Sequence, residues 1–387
     1  MKEDKIYLDY AASTPVDKAV LKAMKPYFKD EYGNPGSIHS FGQKANAAID
    51  QARSAVADEL GVEFDEVVFT ASASEANDLI IDGIFEGSGI EEPKIIISDI
   101  EHESVSQTAD NLVSRGAQVV RLPVSQDGFV DPDELRKLLD EKTILVSVIH
   151  GSNEIGTIQP LEEIGNVIES FRKERGLRYP LLHTDAVQTL PFMKIDTHLL
   201  KLDALTLSSQ KIYGSKGAGA LFISKDFLPN LRPQLVGGGH EFGLRASTPN
   251  VPAIVGFGKA VEIVAQRRGE EGKRLMLLRD KLLKGLQTIE PNLEVNGSMQ
   301  NRLPGNLSIY FPGRENEDLV IKFDMVGVAV SSGSACSVKA TKVARSVLAL
   351  GYSEERAASS IRFTLGEPTT TGDIDQAVKR AEKVLVR

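Results

Sequence analysis

Short apolar runs alternate with longer amphipathic segments between about residues 40 and 225. The runs are nearly continuous in hydrophobic residues, as expected of strands that are buried on both faces of a sheet. This alternation is typical of an α/β fold, in which helices pack against a mainly parallel sheet. The seven predicted strands are Val67 to Phe69, Lys94 to Ser98, Gln118 to Leu122, Ile144 to Ile149, Leu181 to Thr184, Ala204 to Leu207 and Ala220 to Ile223.

Helical periodicity is clearest in two segments. Residues Ser40 to Leu60 form an amphipathic pattern, with Ser40 as the expected N-cap and Gly61 directly after the last turn. A longer pattern from Pro252 to about Ile289 predicts a helix that leads out of the sheet-containing region.

The pattern changes after this long helix. Residues 293–387 contain shorter predicted strands, mixed with helices, at Leu307 to Phe311, Val328 to Ser331 and Ser360 to Leu365. We therefore predict a smaller α+β domain, since one hydrophobic core rarely organises more than roughly 250–300 residues. The expected division is an N-terminal segment joining the small domain (1–15), a large domain (16–255) and a small C-terminal domain (256–387).

Composition limits the classes of function. Acidic residues (54) outnumber basic ones (45), giving a net charge of −9, and the two signs are interspersed. This argues against general nucleic-acid binding and against direct binding to an anionic membrane. The chain has neither the apolar core of a signal peptide near residue 1 nor an apolar stretch approaching the ~18 residues of a membrane span. We expect a cytoplasmic protein.

The chain contains one cysteine, Cys336, and six scattered histidines. A single thiol excludes an internal disulfide, and no close pair of metal ligands is present, so we expect no metal site. Cys336 is therefore either an inert core thiol or a reactive one. Its neighbours in residues 331–337 are small and polar, which favours an exposed loop and a reactive thiol.

Lys211 directly follows a predicted strand and precedes a glycine-rich stretch. A lysine in this position could form a Schiff base with an aldehyde cofactor such as pyridoxal 5'-phosphate (PLP), although a solvated loop lysine would give the same pattern. Asp185 ends another apolar strand, at the sheet edge where open α/β proteins bind ligands. It could keep a pyridinium nitrogen protonated, or it could cap a helix.

Further polar residues follow other strands. Residues 70–77 run from a strand into a helix, whose N-terminus could bind phosphate together with the hydroxyls of Ser72 and Ser74. His102 could lie against an aromatic cofactor, and Asn153 could bind a ring oxygen or a substrate carboxylate, although each could equally have only a structural role. Arg362, in an apolar strand, suits a bidentate grip on a carboxylate.

Together and in this order, these elements resemble the fold-type I, class V PLP enzymes, and specifically the cysteine desulfurases of the iron–sulfur-assembly type. The resemblance covers nearly the whole chain. Its motifs are Tyr7-Leu8-Asp9-Tyr10-Ala11-Ala12, Gly33-Asn34-Pro35, Ser72-Ala73-Ser74-Glu75-Ala76-Asn77, Glu101-His102, Asn153-Glu154-Ile155-Gly156, Asp185-Ala186-Val187-Gln188, Lys211-Ile212-Tyr213-Gly214, Gly237-Gly238-Gly239, Ser331 to Cys336 and Ser360-Ile361-Arg362.

The resemblance implies the PLP-dependent conversion of L-cysteine to L-alanine, with sulfur passing to Cys336 as a persulfide. Its implied catalytic residues are Cys336, Lys211 and His102. PLP would be attached to Lys211, with Asp185 on the ring nitrogen, Gln188 on the ring hydroxyl and His102 stacked on the ring. Further cofactor and substrate contacts are implied for Ala73, Ser74, Ser208, Gln210 and Thr248 of a second subunit (phosphate), and for Arg362, Asn153 and Asn34 (substrate carboxylate).

The resemblance also implies a homodimer that hands sulfur to an acceptor or scaffold protein, for iron–sulfur clusters or another thiolation pathway. Five residues depart from the family's usual pattern: Ser72, Gln210, Phe242, Leu244 and Ser247. A selenocysteine lyase or a class V aminotransferase would share the cofactor residues, and a catalytically silent scaffold of a sulfur-relay complex would share the fold. Formation of alanine and protein-bound sulfur distinguishes the desulfurase from these alternatives.

Overall fold

A seven-stranded sheet forms the centre of the computed structural model, which describes residues 5–333 and 344–386. All seven strands lie within two residues of their predicted positions, which confirms the α/β prediction. The strands are β2 (Val67–Thr70), β3 (Lys94–Ser98), β4 (Gln118–Leu122), β5 (Thr143–Ser147), β6 (Leu181–Asp185), β7 (Ala204–Ser208) and β8 (Gly219–Ile223), after a short β1 (Ile6–Tyr7) outside this sheet.

The spatial order of the sheet is β2-β8-β7-β6-β5-β3-β4. Strands β4, β3, β5, β6 and β7 are parallel, whereas β8 runs antiparallel to both of its neighbours. The carboxyl ends of the five parallel strands therefore meet at one edge of the sheet. The last residues of these strands and the loops after them carry seven of the thirteen predicted site residues: His102, Asn153, Asp185, Gln188, Ser208, Gln210 and Lys211.

Helices cover both faces of this sheet. They are α1 (Lys18–Met24), α2 (Ser40–Leu60), α3 (Ala73–Gly87), α4 (Glu103–Val113), α5 (Pro132–Leu138) and α6 (Leu161–Arg175). The bounds of α2 match the prediction, and Gly61 ends it in the left-handed conformation with φ of 69°. The predicted N-cap is wrong by one residue, because the ring of His39, not the side chain of Ser40, accepts the hydrogen bond from Gly42 N.

A long helix, α7 (Val251–Ile289), connects the sheet region to the rest of the chain. Its first half packs on the large core with residues such as Phe257, and its second half packs on a separate core with residues such as Leu282. One helix thereby fixes the two cores relative to each other.

The second core belongs to a smaller α+β region. Its elements are β9 (Glu294–Val295), β10 (Asn306–Tyr310), α8 (Asn316–Met325), β11 (Val328–Ala329), α9 (Arg345–Ala349), α10 (Glu354–Ala358), β12 (Ser360–Thr364) and α11 (Thr371–Leu385). Strands β12, β10 and β9 form an antiparallel sheet. Strand β1 pairs with β11, so the start of the described chain is part of this region.

A buried ion pair holds the segment that contains three of the departing residues. Arg53, on α2, donates two hydrogen bonds of 2.7 Å to Glu241, which also accepts one from the backbone N–H of Phe69. Phe242 lies over the Arg53 guanidinium at 4.9 Å, and Leu244 is buried in the large core. Phe242 and Leu244 thus stabilise their own segment by packing.

Candidate active site

A cavity of about 280 Å³ opens at the carboxyl edge of the large sheet. Its walls come from the loops after β2, β3, β5, β6 and β7, with contributions from the N-terminal segment and β12. It brings together most of the predicted site residues: Ala73, Ser74, His102, Asn153, Asp185, Gln188, Ser208, Gln210, Lys211 and Arg362.

Two predicted site residues in the described part of the chain do not line this cavity. Asn34 is exposed, and its side-chain oxygen accepts a hydrogen bond from Gly36 N in a local turn. Thr248 is also exposed and does not line the cavity. Cys336 lies outside the described residues, between Gly333 and Ala344.

Lys211 ends a short 3-10 turn (Ser209–Lys211) that directly follows β7. Its Nζ donates hydrogen bonds to the backbone carbonyls of Ala11, at 2.7 Å, and Ala12, at 2.5 Å. The Gln188 side chain donates to the same Ala11 carbonyl at 3.0 Å. Backbone oxygens of the N-terminal segment therefore hold the lysine amine at the cavity wall.

The N-terminus of α3 forms another part of the wall. The Ser72 hydroxyl accepts a hydrogen bond from Glu75 N and so caps the helix, and both Ser72 and Ser74 line the cavity. Gly219 allows this helix start to approach β8, because a Cβ there would lie 2.5 Å from the Ser72 carbonyl carbon. Free N–H groups at a helix start, with hydroxyls beside them, are suited to a phosphate.

Asp185 and His102 are joined by a chain of hydrogen bonds. The buried Asp185 accepts one bond from Val187 N, at 3.0 Å, and one from the Asn77 amide, at 3.1 Å. The same amide nitrogen of Asn77 donates to the Ser104 hydroxyl at 2.8 Å, and this hydroxyl lies 2.8 Å from His102 Nδ1. The sequence analysis includes Asn77 in a motif but gives it no role, and it does not name Ser104.

The same contacts fix the acceptor side of the His102 ring. The backbone N–H of Ser104 donates to His102 Nδ1 at 3.1 Å, in the capping bond of α4. Because a backbone N–H can only donate, Nδ1 must carry a lone pair, and the neutral ring carries its proton on Nε2.

Glu101 also lines the cavity. Its Oε1 accepts hydrogen bonds from the Ser98 hydroxyl and from the backbone N–H of Ile149, whereas Oε2 has no hydrogen-bond partner among the described residues. Burial raises the pKa of the Glu101 carboxyl to about 8, and the negative charge of Asp185 acts in the same direction. The Glu101 carboxyl is therefore mostly protonated at neutral pH.

Arg362 lies at the opposite wall with its side chain almost fully buried. Its Nη2 donates to the Asp9 carboxylate at 2.7 Å, and its Nη1 donates to the backbone carbonyl of Asn153 at 3.2 Å. Nε has no hydrogen-bond partner within residues 5–333 and 344–386. The guanidinium is thus fixed on two sides while it retains a donor for another anion.

These groups fit PLP. An amine suited to its aldehyde, a buried carboxylate suited to its ring nitrogen and a helix N-terminus suited to its phosphate surround one cavity. Nowhere in the described part of the chain do three or more His, Cys, Asp or Glu side chains form a possible metal site. The described helices include none with the length and apolar character needed to cross a membrane.

Comparison with known proteins agrees with this arrangement. The family model described as aminotransferase class-V matches residues 6–377. The chain is 39% identical to the cysteine desulfurase IscS of Dictyoglomus turgidum, over 98% of this chain and 94% of the relative. It is also 39% identical to cysteine desulfurase IscS 1 of Archaeoglobus fulgidus, with 98% and 97% covered.

Solved structures give the same picture. A NifS-like protein superimposes with a TM-score of 0.91 at 34% identity, covering 99% of each chain. A structure described as SspA in complex with cysteine superimposes with a TM-score of 0.79 at 34% identity, covering 93% of this chain and 98% of that one.

Proposed function

We infer the activity of this chain from its family: it belongs to the aminotransferase class-V family and, within it, to the cysteine desulfurases. It is an enzyme that removes sulfur from cysteine. Its pairing with L-cysteine is supported by the structural relative that binds cysteine. The roles of its residues, set out below, rest mainly on the convergence of Lys211, Asp185, His102 and the start of α3 on one cavity.

PLP is the cofactor that this residue set would hold. Lys211 would attach it covalently, Asp185 would contact the ring nitrogen, Gln188 the ring hydroxyl and His102 the ring face. Its phosphate would be bound by the α3 N-terminus at Ala73 and Ser74, by Ser208 and Gln210, and by Thr248 of a second subunit. Once bound, PLP would withdraw electrons from the substrate Cα and make its C–H bond acidic.

Lys211 is the better candidate to move the Cα proton. Its amine is held at the cavity wall by hydrogen bonds to carbonyl oxygens and becomes available as a base when the substrate amine replaces it. His102 Nδ1 already accepts from Ser104 N, and the neutral ring carries a proton on Nε2, so it lacks a free lone pair toward the cavity. Its proposed role is therefore to position the ring and to donate a hydrogen bond.

Arg362 would bind the substrate carboxylate. Because Asp9 and the Asn153 carbonyl hold the guanidinium by one N–H each, its remaining N–H groups point in fixed directions. Asn153 itself lines the cavity and would add an amide donor. Asn34 is apart from the cavity in this chain, so it would reach a substrate only after a rearrangement or from a second subunit.

Cys336 is the proposed sulfur acceptor. Its thiolate would attack the substrate sulfur, forming a new S–S bond while the Cβ–S bond breaks and its electron pair stays with carbon. Protonation of that carbon and return of a proton to Cα complete L-alanine, and the enzyme retains the sulfur as a persulfide. An external thiol or a scaffold protein would then collect the sulfur, for iron–sulfur clusters or another thiolation pathway.

We propose a homodimer as the active unit. Thr248 would complete the phosphate site of the second subunit, because it is exposed and outside the cavity of its own chain. Large apolar side chains on the same segment, including Val236 and Phe242, are exposed in the single chain. A dimer contact through this segment would cover them.

Borohydride reduction tests the cofactor site directly. Purified protein loaded with PLP is reduced, digested and analysed by mass spectrometry. We expect the phosphopyridoxyl adduct on the peptide containing Lys211, and no adduct after Lys211→Ala. An adduct on another lysine, or protein that does not take up PLP, would contradict the proposed site.

A further inference from the structure

Glu154 follows Asn153 in the loop after β5 and lines the cavity without a role in the reaction set out above. Its Oε2 accepts a hydrogen bond from the backbone N–H of Ser346 at 3.2 Å. The Ser346 hydroxyl also bonds to the Glu154 carboxyl. Residues separated by 192 positions in the sequence are thereby joined at the cavity rim.

The contact lies at the base of the segment that carries Cys336. Gly333 and Ala344 flank residues 334–343, and a Cβ built on Gly333 would lie 3.7 Å from the Ala344 Cβ and 3.9 Å from the Glu154 Cδ. The two ends of the segment therefore come together beside one carboxyl group.

The first end is already fixed by backbone pairing. Ser331 and Arg362 exchange two hydrogen bonds, of 3.1 and 2.7 Å, so this end is tied to the proposed carboxylate binder. Gly333 N also bonds to the Ser331 hydroxyl at 3.2 Å.

The second end depends on Glu154. Helix α9 begins directly after Ala344, and this N-cap residue offers no side-chain hydrogen bond to the helix. The N–H of Ser346 is in the first turn, where helical N–H groups have no partner within the helix. Glu154 supplies the missing acceptor from a distant part of the chain, as an N-cap side chain normally does.

Packing supports the same connection. Ala344 and Val347 are buried in a small apolar cluster with Ile155, the residue after Glu154, and with Ile149 at the start of the loop after β5. The start of α9 therefore rests on the loop that also provides Asn153.

We propose that Glu154 is a positioning residue that fixes the C-terminal base of the cysteine-bearing segment to the substrate-binding loop. The inference rests on the proposed function for its catalytic consequence. The hydrogen bond between Ser346 N and Glu154 can be tested without any assumption about the reaction. Since Asn153 and Glu154 are neighbours, the same loop would align the substrate and the start of α9, which follows the segment containing Cys336 in the sequence.

Hydrogen exchange tests the structural part. PLP-loaded wild type, Glu154→Ala and Glu154→Gln are compared by mass spectrometry on a peptide covering residues 344–350. We expect about five-fold faster exchange in Glu154→Ala, a typical effect of losing a helix cap, and near wild-type exchange in Glu154→Gln, whose amide oxygen can still accept. Glu103→Ala is the matched control, because Glu103 also lines the cavity but starts a different helix.

Steady-state kinetics test the catalytic consequence in the same preparations. In Glu154→Ala, kcat for alanine formation should fall about ten-fold or more, while KM for cysteine changes less than about three-fold. Glu154→Gln should recover most of the loss. Ser346→Ala, which removes the hydroxyl and keeps the N–H, should show a smaller fall in kcat that is not additive with Glu154→Ala.

The outcomes separate the two levels of inference. Wild-type exchange at 344–350 in Glu154→Ala would overturn the positioning role, and so would equal kcat losses in the Ala and Gln variants. If Glu154→Ala does not fold, Ser346→Ala takes its place, because it removes the hydroxyl that bonds to Glu154. Exchange at 344–350 and kcat equal to the wild-type values in Ser346→Ala would then contradict the positioning role. A wild type that forms no alanine refutes the proposed function, whereas the exchange result still decides whether Glu154 holds α9.

Discussion

The Asp9 carboxylate lies 2.7 Å from Nη2 of Arg362, so the proposed binder of the substrate carboxylate is already paired with an acid. Asp9 comes from the N-terminal segment, next to β1, and Arg362 from β12. The pair holds the guanidinium in one orientation and offsets part of its charge. Substrate affinity should therefore depend on the shape of the guanidinium as well as on its charge.

Arg362→Lys tests this dependence. Lysine keeps the positive charge but cannot engage Asp9, the Asn153 carbonyl and a substrate carboxylate in one plane. We expect KM for cysteine to rise about 10- to 100-fold, the loss typical of a charge-assisted hydrogen bond. Arg356→Lys is the control, since Arg356 is a buried arginine paired with Glu294 in the small region, and it should leave KM unchanged. An unchanged KM in Arg362→Lys would show that Arg362 does not bind the substrate carboxylate.

Glu101 should make stability fall with rising pH. Its pKa is about 8 when folded, against an ordinary value of 4.5, so the folded protein binds an extra proton between these values. The stabilisation is fully present below about pH 4.5 and is lost as pH rises through about 8.

Glu101→Gln removes this titration while retaining a side-chain oxygen for Ser98 and Ile149. The difference in free energy of unfolding between Glu101→Gln and wild type should grow by about 2 kcal/mol, in favour of the variant, from pH 5 to pH 9. This value allows for solvent access to the cavity. Urea unfolding of the apoprotein measures it, with the exposed Glu92→Gln as control. Parallel pH profiles for wild type and Glu101→Gln would contradict a neutral Glu101.

Asn77 links the two residues proposed to contact the PLP ring. Asn77→Ala removes the amide that donates to Asp185 and to Ser104, leaving both with one partner fewer. We expect affinity for PLP to fall about ten-fold, as for the loss of a buried hydrogen bond. Fluorescence titration with PLP measures it, and Asn46→Ala, which removes an exposed bond to Asp50, should have no effect. Equal affinities would exclude a role for the network in cofactor binding.

Ser247 has a φ of 98°, in the region that favours glycine. Ser247→Gly should therefore raise the free energy of unfolding by about 1 kcal/mol. Ser114→Gly, at an exposed position with φ of −66°, should lower it by about 0.5–1 kcal/mol. Thermal unfolding of both variants measures the difference. A destabilised Ser247→Gly would show that the hydroxyl offsets the backbone strain.

The sequence was most informative where one local pattern dominates. Strand β3 is a nearly continuous apolar run that is buried from Ile95 to Ser98, and its predicted bounds match the observed ones. Helix α2 was predicted from its periodicity and from Gly61. Its N-cap was missed because a histidine ring, which is not among the usual capping side chains, accepts the bond.

Long-range polar contacts could not be predicted in this way. The link from Asn77 to Ser104 and the bond from Ser346 to Glu154 join residues that no periodic pattern relates. Phe242 and Leu244 were recognised as departures, but their packing depends on a fold that brings Arg53 beneath Phe242. By contrast, Asp185, which ends β6, and Lys211, which follows β7, are predictable because the carboxyl ends of parallel strands meet at one sheet edge.

Product formation by Cys336 is the most direct test of the proposed mechanism. Wild type, Cys336→Ala and Lys211→Ala, each incubated with PLP and L-cysteine, are assayed for alanine, and differential alkylation with mass spectrometry locates the persulfide. We expect alanine and a persulfide on the Cys336 peptide from wild type alone, with alanine continuing only when a thiol acceptor is added. Full alanine formation by Cys336→Ala, or PLP-loaded wild type that forms none, would contradict the account.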